Sequence, residues 1–510
     1  MKSENDHDTR EQRDLFIPAL IVFSILYLAQ TGFVGFFLID WQHLNSLVFF
    51  FGFEIIFIGI AYDITESIFS LFSQPRKTPS LTLIEEYPRV ALLMTICDDS
   101  NPSRWKTLFQ EYPYYDVFIL DDSSDPGEKS LIDQSGYTVI RRPEKQAFKA
   151  GNLNHWLTKY GDLYKYFVVL DSDSLIPSDF VKRMVLFAEH PANEKIAIFQ
   201  SCIYPVDAKT IFSKVLGSMA QLRFYIIDRF ANRTGLVLSW GHNQMIRMCA
   251  IQHVNGYCES ITPEDTGLSL ALSQIGYSTR LVNIISFDTD PSNIFSFTRR
   301  ITRWAGQTAE VFSLPWNGAS LRLKLLLCYH LYTYTIHNIY LSLLIYTAWG
   351  FDSRGMSPIT LIEFINSNMQ VLWVWTLVLV ELSLLWLFQF LLRIYLGYRS
   401  GISIKNFLNH MLLATALHSF TGLSINISIL KGLSGRKMNF SPTNQKGITL
   451  AKQPLYFAKD VVFWLFISGI VLSGMSLRNT LLFFGLNGLW ILFWTVSPIT
   501  LLVFHRDQLA

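Results

Sequence analysis

The sequence predicts an α/β domain inserted into an all-α transmembrane bundle of about six helices with additional interfacial helices. Of its 510 residues, 50% are hydrophobic and only 16% are charged, whereas soluble proteins average about 25% charged residues. Apolar segments long enough to cross a bilayer are confined to the two ends of the chain. Between them, short β-rich segments alternate with helical or polar ones, a pattern typical of a parallel sheet.

These patterns divide the chain into three regions. Residues 1–78 are predicted to form a transmembrane hairpin, residues 79–319 the α/β domain, and residues 320–510 the remaining membrane helices. Each predicted span offers roughly the 20 apolar residues that a bilayer core requires. The predicted spans are Leu15–Ile39, Leu47–Tyr62, Leu325–Trp349, Val371–Leu396, Tyr456–Leu477 and Thr480–Phe504.

Basic residues are concentrated at the ends of the spans that join the α/β domain. Because positively charged segments stay on the cytosolic side, we predict a protein of the inner or plasma membrane with a cytosolic α/β domain. The segment 404–433 is apolar but rich in polar side chains, which are costly at bilayer depth. We interpret it as one or two interfacial helices on the cytosolic face, followed by a basic loop at 434–450.

Within the α/β domain, strands are predicted at Val90–Ile96, Val117–Leu120, Tyr137–Ile140 and Phe167–Leu170. Helical segments are predicted at Pro102–Gln110 and Gly151–Tyr160.

Two of these strands run directly into pairs of aspartates. FILDDSSD ends in Asp121 and Asp122, and FVVLDSDS ends in Asp171 and Asp173. Open sheets bind ligands at the carboxyl ends of their strands, and clustered carboxylates there are costly unless a cation or hydrogen-bond donors compensate them. The pattern favours Mg²⁺ or Mn²⁺ with phosphate oxygens completing its shell. The alternative is that aspartate merely favours the turn that follows a strand.

Three further motifs carry charge. In KAGNLN, Lys149 precedes a small-residue turn that offers backbone N–H groups to an anion. In ITPEDTGLSLAL, Glu264 and Asp265 precede an apolar helix, where acidic residues are also favoured by the helix dipole. In FTRRITRW, three side chains recur at helical spacing and share a face: Arg300, Arg303 and Trp304. That face is equally typical of a membrane-surface anchor.

Taken in order, these motifs resemble the membrane-embedded family 2 glycosyltransferases, which include cellulose, hyaluronan and chitin synthases and the osmoregulated periplasmic glucan glucosyltransferase. The family's first aspartate, D-x-D, E-D and Q-x-x-R-W elements correspond to Asp122, Asp171 with Asp173, Glu264 with Asp265, and Arg300 to Trp304. Its late F-x-V-T-x-K loop corresponds to Phe440, Thr443 and Lys446. Two positions depart from the pattern of the cellulose synthases: Arg300 replaces glutamine, and WGHNQMIR at 240–247 replaces a G-T-x-A-like segment. These departures favour a glucan other than cellulose as the product.

The resemblance implies a Rossmann-like GT-A domain that takes a UDP-sugar, most simply UDP-glucose. It implies that Thr95, Asp99 and Asp122 lie near the uracil, and that a metal on Asp171 and Asp173 holds the pyrophosphate. The other implied roles are as follows: Lys149, Arg300 and Arg303 share the phosphate charge, Asp265 beside Glu264 is the general base, Trp304 and His242 bind the acceptor, and Phe440, Thr443 and Lys446 form a lid. The reaction would be a single displacement with inversion.

The implied function is polymerisation of a β-linked polysaccharide coupled to its translocation, with the growing polymer and membrane lipids as partners. A non-processive transferase acting on a lipid carrier would keep the same catalytic residues. A transporter is disfavoured because no second half resembles the first and the acidic cytosolic domain would have no role. The net charge of +2 gives no indication of a nucleic-acid partner.

Overall fold

The computed structural model describes residues 14–37, 44–350, 369–437, 453–477 and 497–504. Seven strands form one sheet in the order β3-β2-β1-β4-β6-β5-β7. They are β1 (Val90–Ile96), β2 (Tyr115–Asp121), β3 (Thr138–Ile140), β4 (Tyr166–Asp171), β5 (Ile196–Val206), β6 (Gln244–Arg247) and β7 (Ser278–Thr289). The predicted strands coincide with β1 to β4 within two residues at each end.

The sheet is mixed, because β6 runs antiparallel to both β4 and β5 while the other pairs are parallel. The expectation of a wholly parallel sheet is therefore wrong at β6. This strand has only four residues, and direction is set by long-range pairing that local sequence does not encode. The predicted helix at Pro102–Gln110 is a 3-10 helix over Pro102–Leu108.

The central strands are buried on both faces. On β1, Val90 and Leu92 pack into one hydrophobic cluster and Ala91 and Leu93 into another on the opposite face, all fully shielded from solvent. Strands of this kind read as continuous apolar segments instead of alternating ones. The segments VALLMTI and YFVVLD are apolar for this reason.

Helices cover the sheet and form the terminal parts of the chain. In the α/β part they are α3 (Pro126–Asp133), α4 (Phe148–Tyr160), α5 (Phe180–Ala188), α6 (Ile211–Gly217), α7 (Ala220–Ile226), α8 (Asn232–Thr234), α9 (Met248–His253), α10 (Glu264–Gln274) and α11 (Ile294–Glu310). In the terminal parts they are α1 (Phe16–Phe37), α2 (Leu44–Phe72), α12 (Leu321–Gly350), α13 (Met369–Arg399), α14 (Ile404–Leu433) and α15 (Gln453–Leu477).

Within the described residues, three segments are long and apolar enough to cross a membrane: Phe16–Phe36, Phe50–Phe72 and Ile404–Leu433. The first two are the predicted hairpin. Helices α12, α13 and α15 cover the next three predicted spans, while 478–496, most of the last predicted span, lies outside the described residues. Helix α14 is continuous over 30 residues, and its interfacial placement stays a prediction.

A partly buried charged cluster connects three of the terminal helices. Arg393 of α13 donates to Asp63 at 2.8 Å and to Glu66 at 2.7 Å, both on α2. Asp63 also accepts from Gln389 of α13 at 2.7 Å and from the Tyr329 hydroxyl of α12 at 3.4 Å. Charges that are partly shielded within an apolar bundle require such partners, so this cluster fixes α2, α12 and α13 against one another.

Helices α11 and α14 are in backbone contact. A Cβ atom built at Gly432 of α14 would overlap the carbonyl oxygen of Gly306 and lie 2.8 Å from Cβ of Ala309, both on α11. Ala305, Ala309, Ile425 and Ile429 form the buried cluster beside this contact. The small residues therefore allow α14 to cover one face of α11 without an intervening layer of side chains.

Candidate active site at the carboxyl edge of the sheet

Both acidic strand ends lie at one edge of the sheet, as predicted. Strand β1 lies between β2 and β4, and its register pairs Ile96 with Asp121 and Thr95 with Asp171. Because β6 is antiparallel, it is the segment before this strand, Trp240–Asn243, that reaches the same edge. The acidic pairs and the WGHN segment therefore converge at the end of adjacent strands.

Asp171 and Lys149 form the centre of the site. The Lys149 ammonium donates to Asp171 Oδ1 at 2.6 Å and to the Gly241 carbonyl at 2.9 Å, and lies 3.7 Å from Glu264 Oε1. Burial opposes ionisation of Asp171, but Lys149 and His242 outweigh it and lower its pKa to about 2. The carboxylate is therefore anionic in the absence of any ligand.

Asp173 has a different environment. Within the described part of the chain, no side chain or backbone group donates a hydrogen bond to its carboxylate. Burial, together with the charges of Asp288 and Asp171, raises its pKa to about 7. A divalent cation on Asp171 and Asp173 would supply the missing positive charge, so the residues present fit Mg²⁺ or Mn²⁺. The described residues contain no group of three or more His, Cys, Asp or Glu side chains that could hold a metal ion by themselves.

Asp122 and Asp99, both expected near the nucleobase, already have protein partners. Asp122 accepts from Arg142 Nη2 at 2.7 Å and Nε at 3.0 Å, and both side chains are buried. Asp99 accepts from the Ser172 hydroxyl at 2.9 Å, and burial raises its pKa to about 6. Thr95 donates toward Asp171 Oδ1 at 3.3 Å. A nucleobase bound here would therefore contact side chains that already form hydrogen bonds with one another. Arg142 belongs to this hydrogen-bond network and was not predicted from the sequence.

Glu264 and Asp265 begin α10 and face the same centre. The backbone N–H of Thr266 donates to Asp265 Oδ1 at 2.6 Å, and burial raises the pKa of both acidic side chains. Gly241 has φ of +81°, and a Cβ atom there would lie 3.1 Å from Asp265 Oδ2. A glycine at this position therefore permits the backbone turn and keeps Oδ2 accessible.

The loop that leads to these acidic residues is anchored from α11. Glu310, at the end of α11, is buried and accepts from the backbone N–H of Thr262 at 2.8 Å. Lys437 is the last residue of the described range 369–437. It donates to the Glu259 carbonyl at 2.9 Å. Phe440, Thr443 and Lys446 lie outside the described residues. The segment that is predicted to form a lid, 434–450, therefore starts beside the loop that leads to Asp265, the residue expected to act as general base.

Helix α11 presents Arg300, Arg303 and Trp304 toward the site, as the helical spacing predicts. Arg300 Nη2 donates to Asp290 Oδ1 at 3.0 Å, and its guanidinium lies 4.8 Å from the centre of the Trp304 ring. Trp304 is 42% exposed. Burial lowers the pKa of Arg303, whereas the charges of Asp171 and Glu264 raise it. Two arginines and one open aromatic face therefore adjoin the carboxylates.

His242 lies against the D-x-D motif. Its Nδ1 is 3.1 Å from the Trp240 carbonyl oxygen and 3.6 Å from Asp171 Oδ2, and its Nε2 is 3.2 Å from Asp288 Oδ2. Burial alone would lower its pKa, but Asp171 and Asp288 raise it to about 9. Asp288 and Asp290 were missed by sequence reasoning, although ISFDTD repeats the signal of an apolar strand followed by D-x-D.

A profile of the family described as glycosyl transferase family group 2 matches residues 166–423, slightly more than half of the chain. The chain belongs to this family. The match starts at β4, which carries Asp171, and extends through α10 and α11 into α14. The protein is therefore a glycosyltransferase, and the residues gathered at the carboxyl edge of its sheet form the candidate catalytic centre.

Relatives and solved structures resemble parts of the chain. The glucans biosynthesis glucosyltransferase H of Caulobacter vibrioides is 26% identical over 234 residues, which cover 39% of this chain and 34% of the relative. The protein of the same name from Dickeya dadantii is 24% identical over 257 residues, with 42% and 29% coverage. The chain thus spans about a third of the length of these relatives. The mannosyltransferase PcManGT from Pyrobaculum calidifontis, solved with GDP-Man and Mn²⁺, aligns at 13% identity with a TM-score of 0.44, covering 82% of this chain and 99% of that one.

Proposed function

We propose that this glycosyltransferase transfers glucose from UDP-glucose, with inversion, to a growing β-linked glucan, and that its membrane helices pass the product across the membrane. The observation that carries the proposal is the position of Lys149, which contacts Asp171 and Gly241 and approaches Glu264. A diphosphate held at Asp171 would therefore place the sugar next to Asp265. The glucan assignment is supported by the names of the relatives.

The residues suit a single displacement. Asp265 Oδ1 is occupied by the Thr266 N–H, so Oδ2 is the oxygen that would take the proton from the acceptor hydroxyl. As that proton leaves, the hydroxyl oxygen attacks the anomeric carbon from the face opposite the diphosphate, and the bond between this carbon and the diphosphate oxygen breaks. Lys149, Arg300 and Arg303 stabilise the charge that develops on the leaving group, which is greater in the transition state than in the ground state.

A divalent cation, when bound, would be held by Asp171 and Asp173 and would add positive charge beside the leaving diphosphate. The exposed ring of Trp304 is suited to cover the apolar face of the acceptor sugar. Arg300 stacks on this ring, which links the acceptor surface to the phosphate side of the site.

A non-processive transferase that modifies a lipid carrier remains the second candidate, because α2, α12 and α13 would serve an anchor equally well. The test is to incubate membranes containing the protein with radiolabelled UDP-glucose and to separate water-soluble polymer from solvent-extractable lipid. Polymer that is absent in Asp265→Asn membranes supports the proposal. Label found only in lipid supports the alternative, and no transfer with any UDP-sugar contradicts both.

We predict that the acidic limb of the kcat profile lies above the range of an ordinary carboxyl group, whose pKa is about 4. Asp265 must be ionised to accept a proton, and burial raises its pKa, whereas Lys149 lowers it. Activity should therefore fall as the pH decreases through this raised pKa. Lys149→Gln removes the lowering charge and should move the limb to higher pH, measured with donor at saturation. An unchanged limb in Lys149→Gln would contradict the assignment of the base.

We predict that residues 434–450 close over the bound donor. Closure by a basic segment excludes water and adds cationic contacts only when the diphosphate is present. Phe440→Ala, Thr443→Ala and Lys446→Ala should each lower turnover about 10-fold or more, and Lys446→Ala should also weaken UDP binding. Asn444→Ala in the same loop is the matched control. If the three substitutions change only membrane association, the segment is a lipid-surface anchor.

A further inference from the structure

Two aspartates lie at the end of strand β7: Asp288 contacts His242, and Asp290, which directly follows the strand, contacts Arg300. We propose that Asp288 and Asp290 are positioning residues that hold His242 and Arg300 in place beside the donor diphosphate. The inference deepens the proposed function and rests on it. It assigns a role to the two aspartates of the segment FDTD, which have no role in the proposed reaction.

Asp288 fixes the orientation of His242. One ring nitrogen faces the Trp240 carbonyl oxygen and Asp171, and the other faces Asp288 Oδ2 at 3.2 Å. Contacts to oxygen atoms on both sides of the ring fix its plane. The His242 side chain is 16% exposed. It is thereby held between β7 and β4, beside Asp171.

Asp290 holds Arg300 in a way that leaves a donor open. The contact uses only Nη2 of Arg300, at 3.0 Å, and both side chains are largely shielded from solvent. Arg300 Nε is buried and has no hydrogen-bond partner among the described residues. A buried N–H that lacks an acceptor is costly. A phosphate oxygen of the bound donor would accept a hydrogen bond from this Nε. The stacking of Arg300 on Trp304 limits the remaining freedom of the guanidinium.

The arrangement also explains why acidic side chains are tolerated beside a phosphate site. Asp290 is paired with the Arg300 guanidinium and Asp288 with Nε2 of His242, so neither carboxylate faces the diphosphate without a partner. His242 and Arg300 would be displaced or free to rotate without these carboxylates. We therefore expect the loss of Asp288 or Asp290 to act on diphosphate binding through His242 and Arg300, without contact to the substrate.

The test uses the full-length protein in detergent, with inorganic pyrophosphate and Mg²⁺ as the binding probe and UDP-glucose as substrate. Asp288→Asn and Asp290→Asn should weaken pyrophosphate binding about 10-fold and raise KM for the donor by more than they lower kcat. Asp290→Glu should restore part of the affinity. Asp116→Asn is the matched control, because it breaks the ion pair with Arg89, of 2.8 Å, at the opposite end of the strands. It should leave pyrophosphate affinity unchanged.

The outcomes separate a positioning role of Asp288 and Asp290 from the alternatives. Wild-type affinity for pyrophosphate in both asparagine variants overturns the inference while leaving the proposed function in place. If the wild type binds pyrophosphate but transfers no sugar from UDP-glucose, the proposed function fails, and the variant affinities still test the positioning of His242 and Arg300. If Asp288→Asn instead changes the concentration of Mg²⁺ needed for half-maximal binding, Asp288 is a metal ligand and not a positioning residue. An equal loss of affinity in Asp116→Asn would also overturn the inference.

Discussion

Replacement of Asp265 by asparagine should lower the rate of sugar transfer by about 10²- to 10⁴-fold, the contribution that a positioned general base makes. The amide keeps the shape of the side chain and can still accept the Thr266 N–H through its oxygen. It has no basic oxygen at the Oδ2 position, which lies beside Gly241. In the proposed mechanism the donor is bound by Lys149 and the arginines, so its affinity should change little.

The measurement compares single-turnover transfer with UDP affinity in the same preparation. Glu264→Gln is the informative neighbour, because it also removes a buried carboxylate but leaves Asp265 intact. We expect a smaller loss of transfer in Glu264→Gln than in Asp265→Asn. Turnover of Asp265→Asn close to that of the wild type would eliminate this residue as the base.

Chelation of divalent cations should abolish activity, and Mg²⁺ or Mn²⁺ should restore it. The reason lies at Asp173, whose carboxylate receives no hydrogen bond from the described residues and whose pKa is raised to about 7 by burial and nearby carboxylates. Asp173→Asn removes one ligand of the proposed site and should lower transfer at least 100-fold, within the range that removal of one electrostatic stabiliser produces.

The control for Asp173→Asn is Asp179→Asn, which changes an exposed aspartate near the start of α5 and should leave activity intact. Mn²⁺ binding to the free protein gives a readout that does not depend on catalysis. Full activity in excess chelator would show that Asp171 and Asp173 act without a metal. Wild-type Mn²⁺ affinity in Asp173→Asn would remove that residue from the site.

Local sequence was sufficient to predict that both aspartate pairs lie at the carboxyl edge of the sheet. An apolar strand that is buried on both faces is a strong signal, and in β2 and β4 it stops directly at an aspartate pair. The order of parallel strands then places both pairs at one end of the sheet. Helical spacing likewise predicts the shared face of Arg300, Arg303 and Trp304, which α11 confirms.

The missed residues depend on contacts between distant segments. Arg142 bonds to Asp122 across 20 residues, and Glu310 bonds to Thr262 across 48. Their sequence neighbourhoods show only a basic pair and an acidic residue near a helix end. The direction of β6 is likewise fixed by its pairing with β4 and β5. Composition and periodicity do not encode such pairings, so these features emerge only with the tertiary structure.

The direct contact between Gly306 and Gly432 has a mechanical consequence. Two helices whose backbones touch cannot slide or tilt separately without overlap, because packed interiors resist deformation. Helix α14 is long and apolar, and the insertion of an interfacial helix, as predicted for α14, depends on the composition of the bilayer. A tilt of α14 would carry α11 with it and rotate Arg300 and Trp304 relative to Asp171. We therefore expect the lipid composition of the bilayer to change the rate of sugar transfer.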